Sequence, residues 1–363
     1  MCNTIIAFHC VIIASILVSI TADPIDTTPI PPDAAQVQSW FQTNVKPLAD
    51  RKAAINASLA AANEKPITIK VRQDGSGNFK TLTEAIASIP TGNSQRVIVD
   101  IGPGKYVEKL TIDASKPFVT FYGAPDNMPT LSFNGDAQKF GTVFSATVTV
   151  ESDFFVAANI IFENSSPQPD GKRPGAQAVA ARVWGDKASF YNCKFLGFQD
   201  TLCDDRGRHF FKDCYIEGTV DFIFGSGKSI YLTTELNVLP GGAVITAQAR
   251  NNDHEDTGFA FLHCKVTGEA TGAYLGRPWM EKPRVVFAYS EMGKVVHSEG
   301  WSLFNKLDRS NTVQFGEYKC MGPGANPNGR AKFLKQLSDA EAQPYLSLGF
   351  IEASSWLLPA PTI

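Results

Sequence analysis

The segment GFQDTLCDDRGRHFFKDCYIEGTVDFIFG, residues 197–225, decides the fold and contains two aspartates in unexpected surroundings. Asp221 stands inside the apolar run VDFIF, and Asp200 follows the sequence FLGFQ, 21 residues earlier. Burial of an unpaired carboxylate costs free energy, so proteins rarely bury one without a partner or a chemical role. The spacing of the two aspartates therefore needs an explanation from the sequence around them.

The sequence on both sides of this segment repeats its pattern. FFVAANIIF, ASFYNCKFLG, HFFKDCYIEG, GFAFLHCKVTG and RVVFAYSEMG each combine an aromatic-rich run, a polar or small position and an alternating strand. A loose repeat of about 20–50 residues made of short strands predicts an all-β, single-domain parallel β-helix, in which each coil stacks on the previous one. The alignment of the five segments puts Asn159, Asn192, Asp213, His263 and Tyr289 in register at this polar or small position.

The same alignment places three cysteines, Cys193, Cys214 and Cys264, in one phase of the coil. We interpret them as a buried stack of small apolar groups, and a disulfide or redox role is the alternative. Asp200 lies seven residues after Cys193, and Asp221 lies seven after Cys214. If the cysteines stack, the aspartates therefore stack as well, on neighbouring strands about 4.8 Å apart.

Two carboxyl groups at that separation do not ionise together easily, so the pKa of one of them should rise. Such a pair supplies one acid and one nucleophile or base. The alternative is that Asp200 and Asp221 only hydrogen-bond the turns between coils, as aspartates commonly do.

Three further residue types fit a site around the aspartates. Gln177 precedes Gln199 by 22 residues, about one coil, and two uncharged amides beside an aspartate pair can hold a developing oxyanion. Arg277, in the sequence YLGRPW, offers a planar donor that can pair with a carboxylate and keep it ionised. Trp279 beside it offers a flat face of the kind on which sugars stack.

Composition and the N-terminal segment limit the functional classes. The chain has 363 residues, 44% hydrophobic residues and 25 Phe, enough for a large core. A net charge of -3 and a pI near 6.0 show no basic patch, which argues against nucleic-acid binding. The apolar run Ile5–Ile20, followed by Ala22, predicts a signal peptide over residues 1–22 and a secreted protein without a membrane segment in its mature form. A membrane anchor is the alternative.

The remaining chain divides into three parts. Residues 23–67 form a Pro-rich and helical N-terminal extension, residues 68–358 the β-helix catalytic domain, and residues 359–363 a tail. Short helices are expected at both ends, and Ser338 with Glu341 forms a capping-box pattern. Asn56 and Asn164 begin glycosylation sequons. No cysteine or histidine cluster has the spacing of a metal site, so no metal is expected.

Five motifs, in order along the chain, make the sequence resemble the pectin methylesterase family. They are GKYVE from Gly104, GAQAVA around Gln177, GFQDTL around Asp200, GTVDFIFG around Asp221 and LGRPW around Arg277. The resemblance covers about residues 68–358. It implies a right-handed parallel β-helix that removes methyl esters from the galacturonate units of pectin, without a metal or organic cofactor.

The resemblance also implies a role for each matched residue. Asp221 would be the nucleophile, Gln177 and Gln199 would stabilise the oxyanion, and Arg277 would orient and ionise Asp221. Asp200 would protonate the departing methanol and then deprotonate the hydrolytic water. The cleft aromatics of the family correspond to Phe144, Trp279 and Trp301.

The family also implies a cell-wall location, a monomeric state and a proteinaceous inhibitor as a partner. Residues 23–67 contain no cysteine, so the resemblance is to the pollen-type form, which lacks an inhibitor-like pro-region. The sequence departs from the family at Cys203, where Tyr is usual, and at Phe304, which replaces the second Trp of the GWxxW motif. Both departures concern substrate subsites rather than the chemistry.

Two other classes of protein remain open. A pectate lyase would need an acidic calcium cluster, and a polygalacturonase would need two carboxylates at a set separation across a glycosidic bond. Neither explains the two glutamines. A non-catalytic pectin-binding β-helix would keep the aromatic residues but would need neither Asp221 nor Arg277. Release of methanol, unsaturated ends or new reducing ends distinguishes the three enzymes.

Overall fold

The structure, a computed structural model, describes residues 24–51 and 55–363. The predicted signal peptide lies outside these residues. Three parallel sheets run along the whole molecule, and successive strands of the chain belong to different sheets. The predicted parallel β-helix is therefore confirmed, and each coil adds one strand to each sheet over most of its length.

The first sheet has eleven strands, in which neighbours follow each other along the helix axis. They are β1 Ile67–Val71, β2 Val97–Ile101, β5 Val119–Tyr122, β8 Val156–Ala158, β11 Ala188–Tyr191, β14 Arg208–Lys212, β17 Lys228–Leu232, β20 Gly258–Leu262, β23 Arg284–Ala288, β25 Gln314–Tyr318 and β26 Lys335–Gln336.

The second sheet has eight strands and follows the first along each coil. They are β3 Lys105–Val107, β6 Thr130–Phe133, β9 Ile161–Asn164, β12 Lys194–Leu196, β15 Tyr215–Gly218, β18 Glu235–Val238, β21 Lys265–Gly268 and β24 Glu291–Met292.

The third sheet has seven strands and carries the predicted site. They are β4 Leu110–Ile112, β7 Val148–Val150, β10 Ala181–Val183, β13 Leu202–Asp204, β16 Val220–Gly225, β19 Val244–Gln248 and β22 Tyr274–Pro278.

The position that the five aligned segments share lies in the turn between the first and second sheets. All five aligned residues have left-handed backbone, with φ between 49° and 60°, a conformation that Asn and Asp adopt more readily than other residues. The structure adds Thr233 and Lys319 to the series, with φ of 52° and 48°. Thr233 is β-branched and strained there, and its hydroxyl donates to Asp213 Oδ1 at 2.5 Å.

The residues that follow this turn point into the coil and form the predicted small-residue stack. Cys193 and Cys214 occupy neighbouring coils, but Thr234 separates Cys214 from Cys264, because it accepts a hydrogen bond from the Cys214 amide at 3.4 Å. All five cysteines of the described residues are free. Burial raises the pKa of the Cys264 thiol to about 12, which favours the apolar interpretation over a redox role.

Aromatic rings fill the interior behind the first sheet. Phe190, Phe211, Tyr231, Phe261 and Phe287 stack one above the other, with centroid separations of 4.5–4.8 Å between successive rings. This spacing equals the distance between parallel strands, so side chains at the same position of successive coils meet face to face. The ladder fixes the register of the coils on which the site depends.

Short helices lie at both ends of the chain, as the sequence predicted, and those near the termini pack on the outer face of the first sheet. The α-helices are α1 Pro24–Thr27, α2 Ala34–Asn44, α3 Ala57–Ala62, α4 Leu82–Ser88, α5 Ala137–Phe140 and α6 Asp339–Ala342. Seven 3-10 helices in the described residues are Leu48–Asp50, Val143–Ser145, Leu307–Asn311, Pro323–Ala325, Gln343–Tyr345, Leu348–Ile351 and Ala353–Ser355. The predicted capping box of Ser338 and Glu341 begins α6.

The N-terminal extension is an integral part of the folded domain. Phe41 of α2 stacks on Phe210 of the first sheet at 5.6 Å. Arg51 donates to the carbonyl oxygens of Leu357 at 2.7 Å and Ser354 at 2.5 Å, so it ties the N-terminal segment to the C-terminal one. None of the helices in the described residues has the length and apolar character needed to cross a membrane.

Candidate active site

The two aspartates lie on neighbouring strands of the third sheet. Asp200 lies two residues before β13, Asp221 is the second residue of β16, and the Asp200 amide donates to the Val220 carbonyl at 3.0 Å. Both have left-handed backbone, with φ of 66° and 51°, and their exposed fractions are only 8% and 6%. The stacking that the sequence predicted therefore brings both carboxyl groups to one place.

A β-bulge directs Asp221 outward. The pairing of β16 with β19 shifts register between Val220 and Ile223, and such a bulge lets two successive side chains share a face. Phe222 and Ile223 both belong to the interior core. Gly218 leaves room for Phe222, because a Cβ there would stand 2.2 Å from the Phe222 Cβ.

Arg277 holds the Asp221 carboxylate with two hydrogen bonds. Its Nε donates to Asp221 Oδ1 at 2.8 Å, and a terminal nitrogen donates to Oδ2 at 2.5 Å. This two-point pairing fixes the plane of the carboxylate as well as its charge. Burial lowers the pKa of Arg277, but the hydrogen bonds and charge of Asp221, together with Asp200, outweigh it and raise that pKa.

Asp200 has no such partner, and its environment favours the protonated form. Burial, and after it the negative charge of Asp221, raises the pKa of Asp200 well above the usual value of a carboxyl group, although Arg277 opposes the shift. Arg277 thus pairs with one carboxyl group of the two, while the pKa of the other is raised. This division is the one that the sequence predicted for the pair.

Both glutamines line the same cavity of about 240 Å³ as the aspartates and Arg277. The Ala178 amide donates to the Gln199 carbonyl at 3.1 Å, which places Gln177 and Gln199 on adjacent coils. In the described part of the chain, no side-chain hydrogen bond occupies either amide group. Both amides are therefore available to a ligand in the cavity.

The lining of the cavity combines polar and apolar side chains. In the third sheet, the outward-facing Cys203, Phe224, Ala247 and Arg277 pair in register on successive strands. Trp279 forms one wall, with its ring 5.7 Å from that of Phe224. Residues that the sequence did not single out complete the lining: Thr142, Val143, Phe224 and Ala247. Phe224 was the most accessible of these to sequence reasoning, because it lies three residues after Asp221 in DFIF.

The three predicted cleft aromatics occupy different environments. Trp279 is 41% exposed and lines the cavity, and Phe144 is 61% exposed directly after the lining residue Val143. The prediction for Trp301 is wrong. Its side chain is fully buried, stacks on Phe315 at 4.4 Å and donates from Nε1 to Glu317 at 2.9 Å, so it belongs to the interior of the coil.

The asparagines of the two sequons also differ in their exposure to solvent. Asn56 is exposed and caps α3, where its Oδ1 accepts from the amides of Ser58 and Leu59. Asn164 is 3% exposed, and its Nδ2 donates to the carbonyl oxygens of Gly135 at 2.9 Å and Val179 at 2.8 Å. A glycan at Asn164 would require these hydrogen bonds to break, because the amide nitrogen is enclosed in the folded protein.

A buried polar network that the sequence analysis missed lies behind the site. Asp204 accepts from Tyr231 at 2.6 Å and bonds His209 Nδ1 at 2.5 Å. All three side chains are fully buried, so they stabilise the interior and do not reach a ligand. The described residues contain no group of His, Cys, Asp and Glu side chains that could hold a metal ion.

The chain matches known proteins over most of its length. The family described as Pectinesterase matches residues 68–354. "Pectinesterase 2" of Olea europaea is 58% identical over 337 residues, 92% of each chain. Among solved structures, "Pectin methylesterase from Carrot" is 31% identical with a TM-score of 0.74, covering 81% of this chain and 95% of its own. A pectin methylesterase in complex with a hexasaccharide is 27% identical with a TM-score of 0.68, covering 82% and 99%.

Proposed function

The chain belongs to the pectinesterase family and hydrolyses the methyl esters of pectin, and we propose that it does so through an acyl-enzyme on Asp221. The observation that carries this mechanism is the two-point pairing of Arg277 with Asp221 beside Asp200, whose pKa is raised by burial and by the charge of Asp221. An ionised and oriented carboxylate is a nucleophile, and a neighbouring carboxylic acid can serve the leaving group.

The first half of the reaction forms the acyl-enzyme. An Asp221 oxygen attacks the carbonyl carbon of the galacturonate methyl ester, and the carbonyl electrons move to its oxygen. The amides of Gln177 and Gln199, which line the same cavity, donate hydrogen bonds to that oxyanion. The oxyanion then collapses, the bond to the methoxy oxygen breaks, and Asp200 gives its proton to form methanol. A mixed anhydride joins Asp221 to the sugar.

The second half regenerates the enzyme. Asp200, now ionised, removes a proton from water, and the resulting hydroxide attacks the galacturonate carbonyl carbon. The anhydride bond to Asp221 breaks, which releases a free galacturonate carboxyl and restores the Asp221 carboxylate. The proton from water returns Asp200 to its acid form. Asp200 thus gives a proton in the first half and takes one in the second, while Asp221 attacks in the first half and leaves in the second, so protons and electrons balance.

Intact-mass spectrometry of an Asp200→Asn protein tests the covalent step. Asparagine cannot deprotonate water, so a brief incubation with methyl-esterified hexagalacturonate should leave a fraction of the protein heavier by one acyl chain. Asp221→Asn should show no such adduct and no methanol release. An active Asp221→Asn protein would remove Asp221 from the chemistry. Release of methanol by Asp200→Asn without any adduct would mean that Asp221 acts as a base for direct water attack instead.

The protein acts on pectin of the plant cell wall, and we propose further that it is secreted there as a monomer. The apolar run Ile5–Ile20 supports export of the chain. In the same proposal, a proteinaceous inhibitor covers the cleft and a glycan is attached at the exposed Asn56. Size-exclusion chromatography with light scattering, on protein recovered from a secreting host, measures the molecular mass and the N-terminal cleavage together.

A further inference from the structure

Residues 175–180 carry the Gln177 side chain into the active-site cavity, just before β10 begins. The Gln177 amide group has no hydrogen-bond partner within the described part of the chain. Its place in the cavity therefore depends on the backbone that carries it. That backbone lies outside the regular strands, so side chains from other segments supply part of the support that a strand ladder gives elsewhere.

Ser145 and Asn164 bind the backbone of Val179, two residues after Gln177. The Val179 amide donates to Ser145 Oγ at 3.0 Å, and Asn164 Nδ2 donates to the Val179 carbonyl at 2.8 Å. The carbonyl has a second donor in the Thr147 amide at 3.0 Å, whereas Ser145 is the partner of the amide. Ser145 and Asn164 are 0% and 3% exposed, so water does not replace a lost contact, and an unpaired buried amide costs free energy.

The same two side chains hold the loop of residues 135–145, which forms one wall of the cavity. Ser145 Oγ donates to the Thr142 carbonyl at 2.6 Å. Asn164 Nδ2 also donates to the carbonyl oxygens of Gly135 at 2.9 Å and Ser145 at 3.4 Å, at the two ends of the loop. One buried amide group thus joins both ends of the loop to the segment that carries the glutamine.

Backbone contacts complete the connection between this loop and the glutamines. The Ala137 amide, at the start of α5, donates to the Gln177 carbonyl at 2.8 Å, and the Ala178 amide donates to the Gln199 carbonyl at 3.1 Å. A shift of the loop is therefore passed to the Gln177 backbone directly as well as through the two buried side chains. The wall of the cavity and the Gln177 backbone form one connected unit.

We propose that Ser145 and Asn164 are positioning residues, which hold the Gln177 amide where the oxyanion forms. Both are enclosed, and other residues line the cavity, so they act through the backbone of Val179 and not on the substrate. A donor stabilises an oxyanion only while it stands at the position that the oxyanion will occupy. This inference rests on the proposed function, because it assumes that Gln177 donates to the oxyanion.

Replacement of Ser145 by Ala tests this role, because it leaves the Val179 amide without its acceptor and adds no atom to the interior. Misplacement of a reacting group by about 1 Å can cost about 10²-fold in rate. The kcat for methanol release from fully methyl-esterified hexagalacturonate should therefore fall by about ten- to hundredfold. KM should change little, because the contact forms only in the transition state. Asn164→Ala releases the loop as well and should lower kcat in the same way.

A double-substitution cycle with Gln177→Ala separates positioning from general structural damage. Gln177→Ala alone should lower kcat by about 10²–10³-fold, the range for removal of one oxyanion donor. In that background Ser145→Ala should lower kcat no further, since the amide that Ser145 positions is gone. A retained loss would overturn the inference, because Ser145 would then act on something other than Gln177. If Ser145→Ala does not fold, Ser145→Cys, with a weaker acceptor of similar size, replaces it in the cycle.

Ser290→Ala is the matched control. Ser290 is also fully buried, accepts from the Cys264 amide at 3.1 Å and donates to the Phe261 carbonyl at 3.2 Å, but it holds no part of the cavity. Its loss should lower stability in urea titration and leave kcat unchanged. The inference is overturned if Ser145→Ala and Ser290→Ala lower kcat alike. An unchanged kcat in Gln177→Ala would instead refute the oxyanion role in the proposed function, so the two failures are distinguishable.

Discussion

Replacement of Arg277 by Gln tests the central electrostatic element of the site. The guanidinium makes two charge-assisted hydrogen bonds to a carboxylate that is 6% exposed, at 2.8 and 2.5 Å. Removal of one partner of a buried pair costs about 3–5 kcal/mol, because the remaining charge is left uncompensated. If that cost falls on the transition state, the rate falls tenfold for each 1.36 kcal/mol. We therefore expect kcat/KM to fall by a factor between about 10² and several thousand.

Methanol release from fully esterified hexagalacturonate, measured from pH 5 to pH 9, is the assay. The Arg277→Gln substitution should lower kcat rather than raise KM, since the pairing orients the nucleophile and not the substrate. Arg277→Lys keeps the charge but loses the second hydrogen bond, so its activity should lie between Arg277→Gln and the wild type. Lys194→Gln controls for net charge. A fall of less than tenfold in Arg277→Gln, or a change confined to KM, would refute the assigned role.

Three further predictions concern the acid, the N-terminal helix and the sequons. Burial and, after it, the charge of Asp221 raise the pKa of Asp200. The contribution of Asp200 to stability is therefore full below the pKa of an unfolded aspartate and is lost as pH rises through the folded pKa. Asp200→Asn should be inactive but should lose less thermal stability than the wild type between pH 5 and pH 8, and parallel curves of melting temperature against pH would contradict this. Phe41→Ala removes the stack on Phe210 and should lower the free energy of unfolding by about 3–5 kcal/mol in urea titration, whereas a change below 1 kcal/mol would mean that the helix only rests on the sheet. Asn56→Gln should remove a glycan from secreted protein by mass, while Asn164→Gln should leave the glycan mass unchanged and destabilise the fold by about 1–3 kcal/mol; the reverse pattern would refute the assignment.

The sequence was sufficient for the coil register because the turn residues and the core residues repeat together. The positions of Asn159, Asn192 and Asp213 marked a backbone conformation that few residues adopt easily. The coil with Thr233 was not among the five aligned segments, although it has the same left-handed backbone at this turn. The stacking of the coils holds Thr233 in the left-handed conformation, which a β-branched residue rarely adopts by itself.

The catalytic residues were more predictable than the aromatic ones. Asp200, Asp221, Gln177, Gln199 and Arg277 meet in one cavity because their spacing follows the coil. An aromatic side chain can serve the core or the cleft, and its hydrophobicity does not distinguish the two. Trp301 packs inside because Gly276 makes room for it: a Cβ at Gly276 would stand 2.8 Å from the Trp301 ring. That fit depends on tertiary contacts that no local pattern records.

The position of the site at a defect in the sheet explains why a carboxylate stands in so apolar a run. Phe224 faces outward and Ile223 inward, so regular alternation would turn Phe222 outward and Asp221 into the core. The bulge between Val220 and Ile223, together with the left-handed backbone at Asp221, places Phe222 inside and the carboxylate outside. The local strain at this point is offset by Phe222 burial and by the Arg277 pairing. A straightened strand would keep the same sequence and lose the nucleophile, since a shift of one residue reverses every side chain. The aspartate is therefore compatible with its neighbours only because the ladder is broken where the chemistry occurs.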